Sequence, residues 1–445
     1  MSEAVLTQPQ EATALDPYIL HVVEESVQPV VSEAVLGDQT PVFGQYDQAT
    51  QMRQWEALKQ GLAGIAPEEV LEQTEGYLSR AYTEYEHGSD RGPFEYAFLV
   101  PSRFSGSDAS RAYVPELTDF IPAVRYMAQS DIVRFLSMVP PSVIDTYEGG
   151  KGCVIFTPLF SDIMSLGRDA LPVGNKVVND AVAFARDKFD VKVVGLGATL
   201  PKFTRFGQNI DVEGVTTTTG HGGTVWLIGE TADQVIESKG IATNTLGVIG
   251  AGGSIGQSSA VLLQEKYPNA DLLVYDVNEV ALDRLKKALP SNAKVRLARD
   301  NREVLEGSSI IVSALTDTLD LTRDMSGIDL TDRYIIDDTQ PPAFNRVEVE
   351  GLGAKVLWVV GQDHTLGNRL TRKNYLFGEG IGLLSTANVF GCEAEAYCVA
   401  QEDDRPAAAI RQRVNPQAVR SIGELMARHG ITTAATQSFG KPVNL

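Results

Sequence analysis

Between Thr245 and Val360 the chain repeats one rhythm. Short apolar runs near 245–249, 272–276, 294–298, 309–315, 333–337 and 355–360 are separated by turns and, in the earlier intervals, by stretches with helical periodicity. Short apolar runs bounded by turns read as strands. Six of them alternating with helices predict a doubly wound parallel sheet. Upstream, the strand-like Tyr96-Ala-Phe-Leu-Val100 opens a second region, reaching Gly240, in which further strands (153–156 and 191–196) alternate with a helix from Gly174 to Phe189. From Gln51 to Tyr85 the period is helical: Trp55, Leu58 and Leu62 share a face, Pro67 marks a second start, and Val70, Leu71, Tyr77 and Leu78 follow. After Gly361 a long helical stretch containing Leu383 to Val399 and a last helix from Pro416 to His429 close the chain.

The first strand of the sixfold series runs into Gly250-Ala-Gly-Gly-Ser-Ile-Gly256, and a helical pattern starts at once. A strand, a glycine-crowded turn and a helix N-terminus are the parts of a dinucleotide site. Gly250 allows the tight turn, Gly252 and Gly253 let backbone N–H groups reach a pyrophosphate, and Gly256 lets the helix pack close to the sheet. The second strand ends in Asp276, 20 residues beyond Gly256, where a ribose hydroxyl lies in such sites. The cofactor candidates are therefore Gly250, Gly252, Gly253, Ser254, Ile255, Gly256, Asp276 and Thr316. NADH or NADPH fits, and the Asp276 carboxylate tilts the choice towards NADH.

Four units are read along the chain: an acidic, partly helical extension (1–93), an α/β substrate domain (94–240), a dinucleotide-binding Rossmann domain (241–375), and C-terminal helices carrying Cys392 (376–445). The net charge of −20 argues against nucleic acid as a partner. The acid is concentrated at the start: residues 1–93 hold 4 Lys/Arg against 16 Asp/Glu, a balance of −12. No run approaches the ~20 apolar residues of a membrane span, and the N-terminus lacks a signal peptide's pattern. Three cysteines are too few and too scattered for a disulfide framework or a zinc site, so the thiols are read as free, no metal site is expected, and the reading is a cytoplasmic protein.

Two short segments offer chemistry. Cys392 lies beside Gly391 near the start of a helical run, where a thiolate gains from a helix N-terminus and a substrate can approach closely. Cys398 lies about 240° further around that helix, so the two thiols share no face. The run Thr216-Thr-Thr-Thr-Gly-His-Gly-Gly-Thr224 gathers hydroxyls and glycines around His221 just before a helical segment from Val225. Backbone N–H groups from Thr219 to Gly222 would make an oxyanion nest there, with His221 holding or protonating an oxygen. A cysteine buried for packing and a Thr-capped glycine connector are the structural alternatives for the two segments.

Three segments together resemble the cyanobacterial-type long-chain acyl-carrier-protein reductases, which form fatty aldehydes from acyl thioesters. Val194-Gly-Leu-Gly-Ala198 with Thr217-Thr-Thr-Gly-His-Gly-Gly-Thr224 is similar to that family's glycine-rich strand end and its Thr-Thr-Gly-Asn motif, with His221 in place of the Asn. The glycine loop Gly250–Gly256 is the second, and Phe390-Gly-Cys-Glu-Ala-Glu-Ala396 the third, close to the family's Phe-Ala-Cys-Phe-Ala-Glu-Ala. The resemblance covers roughly residues 94–435 and implies Cys392 as nucleophile, Gly250, Gly253 and Gly256 as cofactor loop, and an acyl thioester, on an acyl carrier protein or CoA, as substrate. Catalytic candidates are thus Cys392, His221 and Thr219. A shikimate- or quinate-type dehydrogenase working without a cysteine and a dinucleotide-binding protein without catalysis are the alternatives.

Overall fold

The computed structural model describes residues 48–88, 92–102, 117–127, 129–149, 151–160, 170–239, 245–315, 318–339, 343–365, 370–373, 384–438 and 440–445. Two sheets organise it. The first contains β1 (Tyr96–Ser102), β2 (Ser142–Thr146), β3 (Gly152–Phe160), β4 (Val193–Leu196) and β5 (Thr216–Thr218), in the order β2-β3-β1-β4-β5. β1, β3, β4 and β5 are parallel, and β2 runs antiparallel on the β3 edge. The second contains β6 (Thr245–Ile249), β7 (Asp271–Tyr275), β8 (Val295–Leu297), β9 (Ile310–Ser313), β10 (Tyr334–Asp337) and β11 (Lys355–Trp358), in the order β11-β10-β9-β6-β7-β8. All its pairings are parallel. The chain winds outward from β6 through β7 to β8, then crosses to β9 and winds outward the other way. This is a doubly wound Rossmann sheet, and the crevice between β6 and β9 is its switch point.

Away from the β8 edge, where Arg296 and Leu297 are exposed, both faces of this sheet are dry. Leu246, Val248, Leu272, Val274, Ile310, Val312 and Ile336 point into one core, while Ile249, Leu273, Ile311, Ile335 and Val356 point into another. That period of two inside continuously apolar runs is the burial of a parallel sheet on both faces. The expected strands lie within a residue or two of the observed ones. The chain after Gly361 departs further: β12 (Gly361–Asp363), β13 (Asn388–Val389) and β14 (Ile431–Thr433) form a small antiparallel sheet. The helix expected over 383–399 therefore begins only at Gly391 and ends at Ala400, because Asn388 and Val389 pair with β12 instead. Leu383 lies outside the described residues.

The C-terminal helix Gly391–Ala400 completes the first sheet. Gly195 of β4 lies so near it that a Cβ there would meet the Ala396 methyl at 2.6 Å. The helix is buried on nearly every side, and its Ala394, Ala396, Tyr397, Cys398 and Val399 join the same core as β1 and β4. The helices Gln48–Leu62 and Glu68–His87 are built into this core too. Trp55, Leu58 and Leu62 are buried, the Tyr77 hydroxyl lies 2.8 Å from Ser142 Oγ, and the buried Glu84 carboxylate accepts from Val143 N at 2.8 Å. Residues 48–87 of the acidic extension thus cover the β2 edge of the first sheet rather than wrapping it loosely.

Trp55→Ala removes one of the largest fully buried side chains and should lower the unfolding free energy by about 3–5 kcal/mol. Denaturant unfolding of the two proteins checks this, and a loss below about 1 kcal/mol would place the N-terminal helices outside the cooperative core.

Candidate active site

The glycine loop sits at the switch point. Gly250 has φ +75, and a Cβ on it would come within 2.4 Å of Ala314 O beyond the end of β9. A Cβ on Gly256 would lie 2.2 Å from Gly250 O, so helix Ser254–Lys266 can start this close to the turn only with glycine there. Gly252 is confined by Ala281 and by the Asp276 carboxyl, 2.6 and 2.8 Å from where its Cβ would be. Gly253 differs, since its φ of −68 suits any residue and its Cβ would come no nearer than 3.3 Å to Gly250 O. Packing asks little of Gly253, so its bareness fits an approach from outside the loop.

The amides are distributed otherwise than the motif implies. Gly252 N donates to Asp276 Oδ2 at 2.8 Å and Gly253 N to Gly250 O at 3.1 Å, so neither is left to reach a pyrophosphate. The reason is that Asp276 needs anchoring: its other oxygen accepts from Asn278 N at 2.8 Å, and the carboxylate joins the loop to the turn after β7. The amides of Ser254, Ile255 and Gly256 open the helix, which no side chain caps. They are the donors presented to an anion. Beyond Asp276, Val277 is 86 % exposed and Val280 68 %, an apolar surface beside the carboxylate. Thr316 lies outside the described residues.

Cys392 is the second residue of helix Gly391–Ala400 and lies directly against Gly220. A Cβ on Gly220 would meet the Cys392 Cβ at 2.3 Å, and its φ of +74 also calls for glycine. Next to it, Gly223 and Gly391 touch backbone to backbone, each leaving no room for a methyl group. Two helices therefore meet at their N-termini: Gly391–Ala400, which carries Cys392, and His221–Lys239, which starts four residues before the Val225 expected for it.

Glu395 fixes that meeting. Its buried carboxylate accepts from Gly220 N at 3.0 Å, from Gly223 N at 2.9 Å and from the Thr218 hydroxyl. Burial pushes the carboxyl above its ordinary range, and the Thr218 hydroxyl and the amides of Gly223, Gly220 and Gly222 pull it back. The carboxylate caps the helix that begins at His221 and neutralises its positive end. This overturns the expected oxyanion nest, because the Gly220 amide already serves Glu395 and the amides of Thr219 and His221 are engaged by Ile410 O and Thr219 Oγ1. Thr219 is likewise inside the structure: it is buried, its N–H donates to Ile410 O at 3.0 Å, and its Oγ1 accepts from His221 N at 3.4 Å.

His221 joins the two sites. Its Nδ1 lies 3.2 Å from Ser254 Oγ at the start of helix Ser254–Lys266, and its ring meets Phe206 edge-on at 5.9 Å between centroids. Burial, with the charges of Lys202 and Arg413, brings its pKa down to about 4. The imidazole is neutral at pH 7, so it can share a hydrogen bond with a substrate oxygen but holds no proton to give as an imidazolium. Cys153 and Cys398 are buried, and burial pushes the Cys398 thiol well above its usual range; Cys392 is partly exposed. Glu393, one residue on from Cys392, is buried against Arg372 Nε at 2.8 Å and the Tyr147 hydroxyl at 2.6 Å, which pins the first turn. Glu395, Glu393 and Arg372 were not foreseen. The signal available was a ten-residue helix with two carboxylates and no cation to match them.

Among the described residues, no group of His, Cys, Asp and Glu is placed to hold a metal ion, and no helix is long and apolar enough to cross a membrane. No protein-family model and no curated protein matches the chain. Among solved structures, it is similar to S. aureus TarJ in complex with NADPH, at 18 % identity over 30 % of this chain and 43 % of that chain (TM-score 0.24). It is also similar to a dipicolinate synthase chain from Bacillus halodurans, at 14 % identity over 41 % and 60 % (TM-score 0.27), and to L-tryptophan dehydrogenase from Nostoc punctiforme, at 13 % over 76 % and 90 % (TM-score 0.29). The chain spans 43 % and 60 % of the first two.

The His221 shift has a sign that can be tested. An imidazole with a folded pKa near 4, below the ordinary 6.5, takes up its proton more readily in the unfolded chain. Its contribution to stability is full above pH 6.5 and is lost as the pH falls towards 4. The His221 ring resonances in an NMR titration should hold their neutral positions down to about pH 5. A midpoint near 6.5 would contradict the burial that lowers it.

Proposed function

We propose that the protein is a nicotinamide-dependent oxidoreductase that reduces an acyl thioester to an aldehyde through an acyl group held on Cys392. The observation that carries this reading is a juxtaposition. Cys392, partly exposed near a helix N-terminus, has its Cα and Cβ against Gly220, and the residue after Gly220, His221, is hydrogen-bonded to the first residue of the helix that follows the glycine loop. The chain's own features support a dinucleotide at that loop: a cradle of glycines without room for side chains, an uncapped helix start, and a carboxylate fixed where a ribose diol would donate to it. Val277 and Val280 suit the flat face of an adenine ring.

In the proposed reaction the Cys392 thiolate attacks the thioester carbonyl, the bond from the acyl carbon to the leaving sulfur breaks, and the released thiolate takes a proton from solvent. A reduced nicotinamide, bound at the glycine loop, would supply the hydride that the acyl carbon takes up. The bond to Cys392 sulfur then breaks, the thiolate is regenerated and an aldehyde departs. With the glycine amides engaged by Glu395, the donor proposed for the carbonyl oxygen is the neutral His221 ring. With Ser254 donating to Nδ1, His221 keeps a proton on Nε2 for that oxygen. The resemblance to acyl-carrier-protein reductases adds the substrate class. Carrier protein and CoA are both compatible with it.

Incubated with an acyl thioester and no dinucleotide, the protein should gain the mass of one acyl group on Cys392 and lose it when reduced dinucleotide is added. Cys392→Ser should lower aldehyde formation by on the order of 10³-fold. Full activity in that variant, or acylation at Cys153 or Cys398, would favour a dehydrogenase that needs no cysteine.

The second expectation concerns the nucleotide. A carboxylate repels a 2′-phosphate and accepts from a ribose diol, so NADH should bind more tightly than NADPH by on the order of tenfold, and Asp276→Ser should narrow the gap. Tighter NADPH binding by the unaltered protein would refute the role given to Asp276.

A further inference from the structure

The segment 410–414 runs along both halves of the site in five residues. Ile410 is tied to the Cys392 side: its N–H donates to Thr218 Oγ1 at 3.1 Å and its carbonyl accepts from Thr219 N at 3.0 Å. Val414 is tied to the dinucleotide side, its carbonyl accepting from Ser258 Oγ at 2.8 Å. Between these anchors Arg413 reaches onto the glycine loop, donating from Nη2 to Gly252 O and from Nη1 to Gln257 Oε1, both at 2.9 Å.

Two of the five N–H donors of this guanidinium are accounted for, both by neutral acceptors. Among the described residues no carboxylate comes within ion-pair distance of it. Asp276 attracts it from farther off, while burial and the nearby Arg284 oppose its charge. A guanidinium partly withdrawn from water gains from an anionic partner, since a charge left unmatched there carries part of a desolvation penalty. Here that cation flanks the first turn of a helix whose N-terminal amides face the same loop.

We propose that Arg413 binds a phosphate of the dinucleotide, an inference that rests on the dinucleotide reading above. Because the residue is held by a strap that also holds Thr218 and Thr219, it is a positioning residue as well. Binding the phosphate fixes strap, loop and the Gly220–Cys392 contact against one another. Two phosphates share this chemistry, the pyrophosphate common to NADH and NADPH and the 2′-phosphate of NADPH.

Equilibrium binding of NADH and NADPH, read by quenching of protein fluorescence, tests this with Arg413→Gln, Arg413→Lys and Gln257→Ala beside the unaltered protein. Arg413→Gln should raise Kd by about 10- to 100-fold, with Arg413→Lys between it and the unaltered protein and Gln257→Ala changed less than about threefold. Equal weakening for both nucleotides assigns the pyrophosphate, and weakening confined to NADPH assigns the 2′-phosphate. If Arg413 only ties the loop in place, Arg413→Gln and Gln257→Ala weaken binding alike, and the proposal falls. It falls too if Arg413→Gln binds both nucleotides as the unaltered protein does, with the dinucleotide reading left standing. No binding by the unaltered protein overturns both. Should Arg413→Gln fail to fold, phenylglyoxal labelling of the unaltered protein decides: Arg413 protected by NADH supports the assignment, and Arg413 labelled equally with and without NADH overturns it.

Discussion

A carboxylate buried where two helices meet is the constraint on which the site depends. Glu395 accepts from two glycine amides and a threonine hydroxyl at the head of the His221 helix, while its own backbone belongs to the helix that carries Cys392. Each of these donors would be left buried without a partner if the carboxylate were removed, at a cost of about 1–3 kcal/mol apiece. The arrangement is therefore specific in position, and it sets the Cα and Cβ of Cys392 against Gly220 without any covalent link between the segments. Gly195, Gly220, Gly223 and Gly391 are bare because helix, strand and turn approach too closely for a methyl group.

The same geometry explains how sequence-distant parts become one site. The first sheet supplies β5 and the Thr-Gly turn after it, the Rossmann sheet supplies the loop after β6, and the C-terminal segment supplies Cys392 and Arg413. His221 bridges the first two through Ser254, and the strap 410–414 joins them along a second line. In such an assembly the electrostatics are shared. The charge of Arg413 helps keep His221 neutral while its guanidinium rests on the glycine loop.

Much of the fold was legible in the sequence, for identifiable reasons. β6, β7, β9, β10 and β11 are buried along most of their length, so apolar character marks each of them, whereas the edge strand β8 carries exposed Arg296 and Leu297; the glycines of the loop answer to local backbone geometry that a short motif records. Strand β2 was harder to read: it is an antiparallel edge whose burial comes from the helices 48–87, packed on it from earlier in the chain. The later start of the Cys392 helix follows from pairing with β12, again a long-range event. Of the site, Cys392, His221 and the loop were readable as motifs. The occupation of the Gly220 and Gly223 amides was not, because Glu395 lies more than 170 residues away from them and the unmatched carboxylates of its helix mark burial without naming the donors.

The account stands on hydride reaching an acyl carbon that is held by Cys392. Its most direct test is a single turnover of protein first acylated from a thioester, freed of excess substrate, and then mixed with reduced dinucleotide carrying deuterium at nicotinamide C4. The account predicts an aldehyde with one deuterium on its carbonyl carbon and recovery of the free Cys392 thiol in equal amount. Release of the acyl group as carboxylic acid, or an aldehyde without deuterium when both C4 positions are labelled, would contradict it.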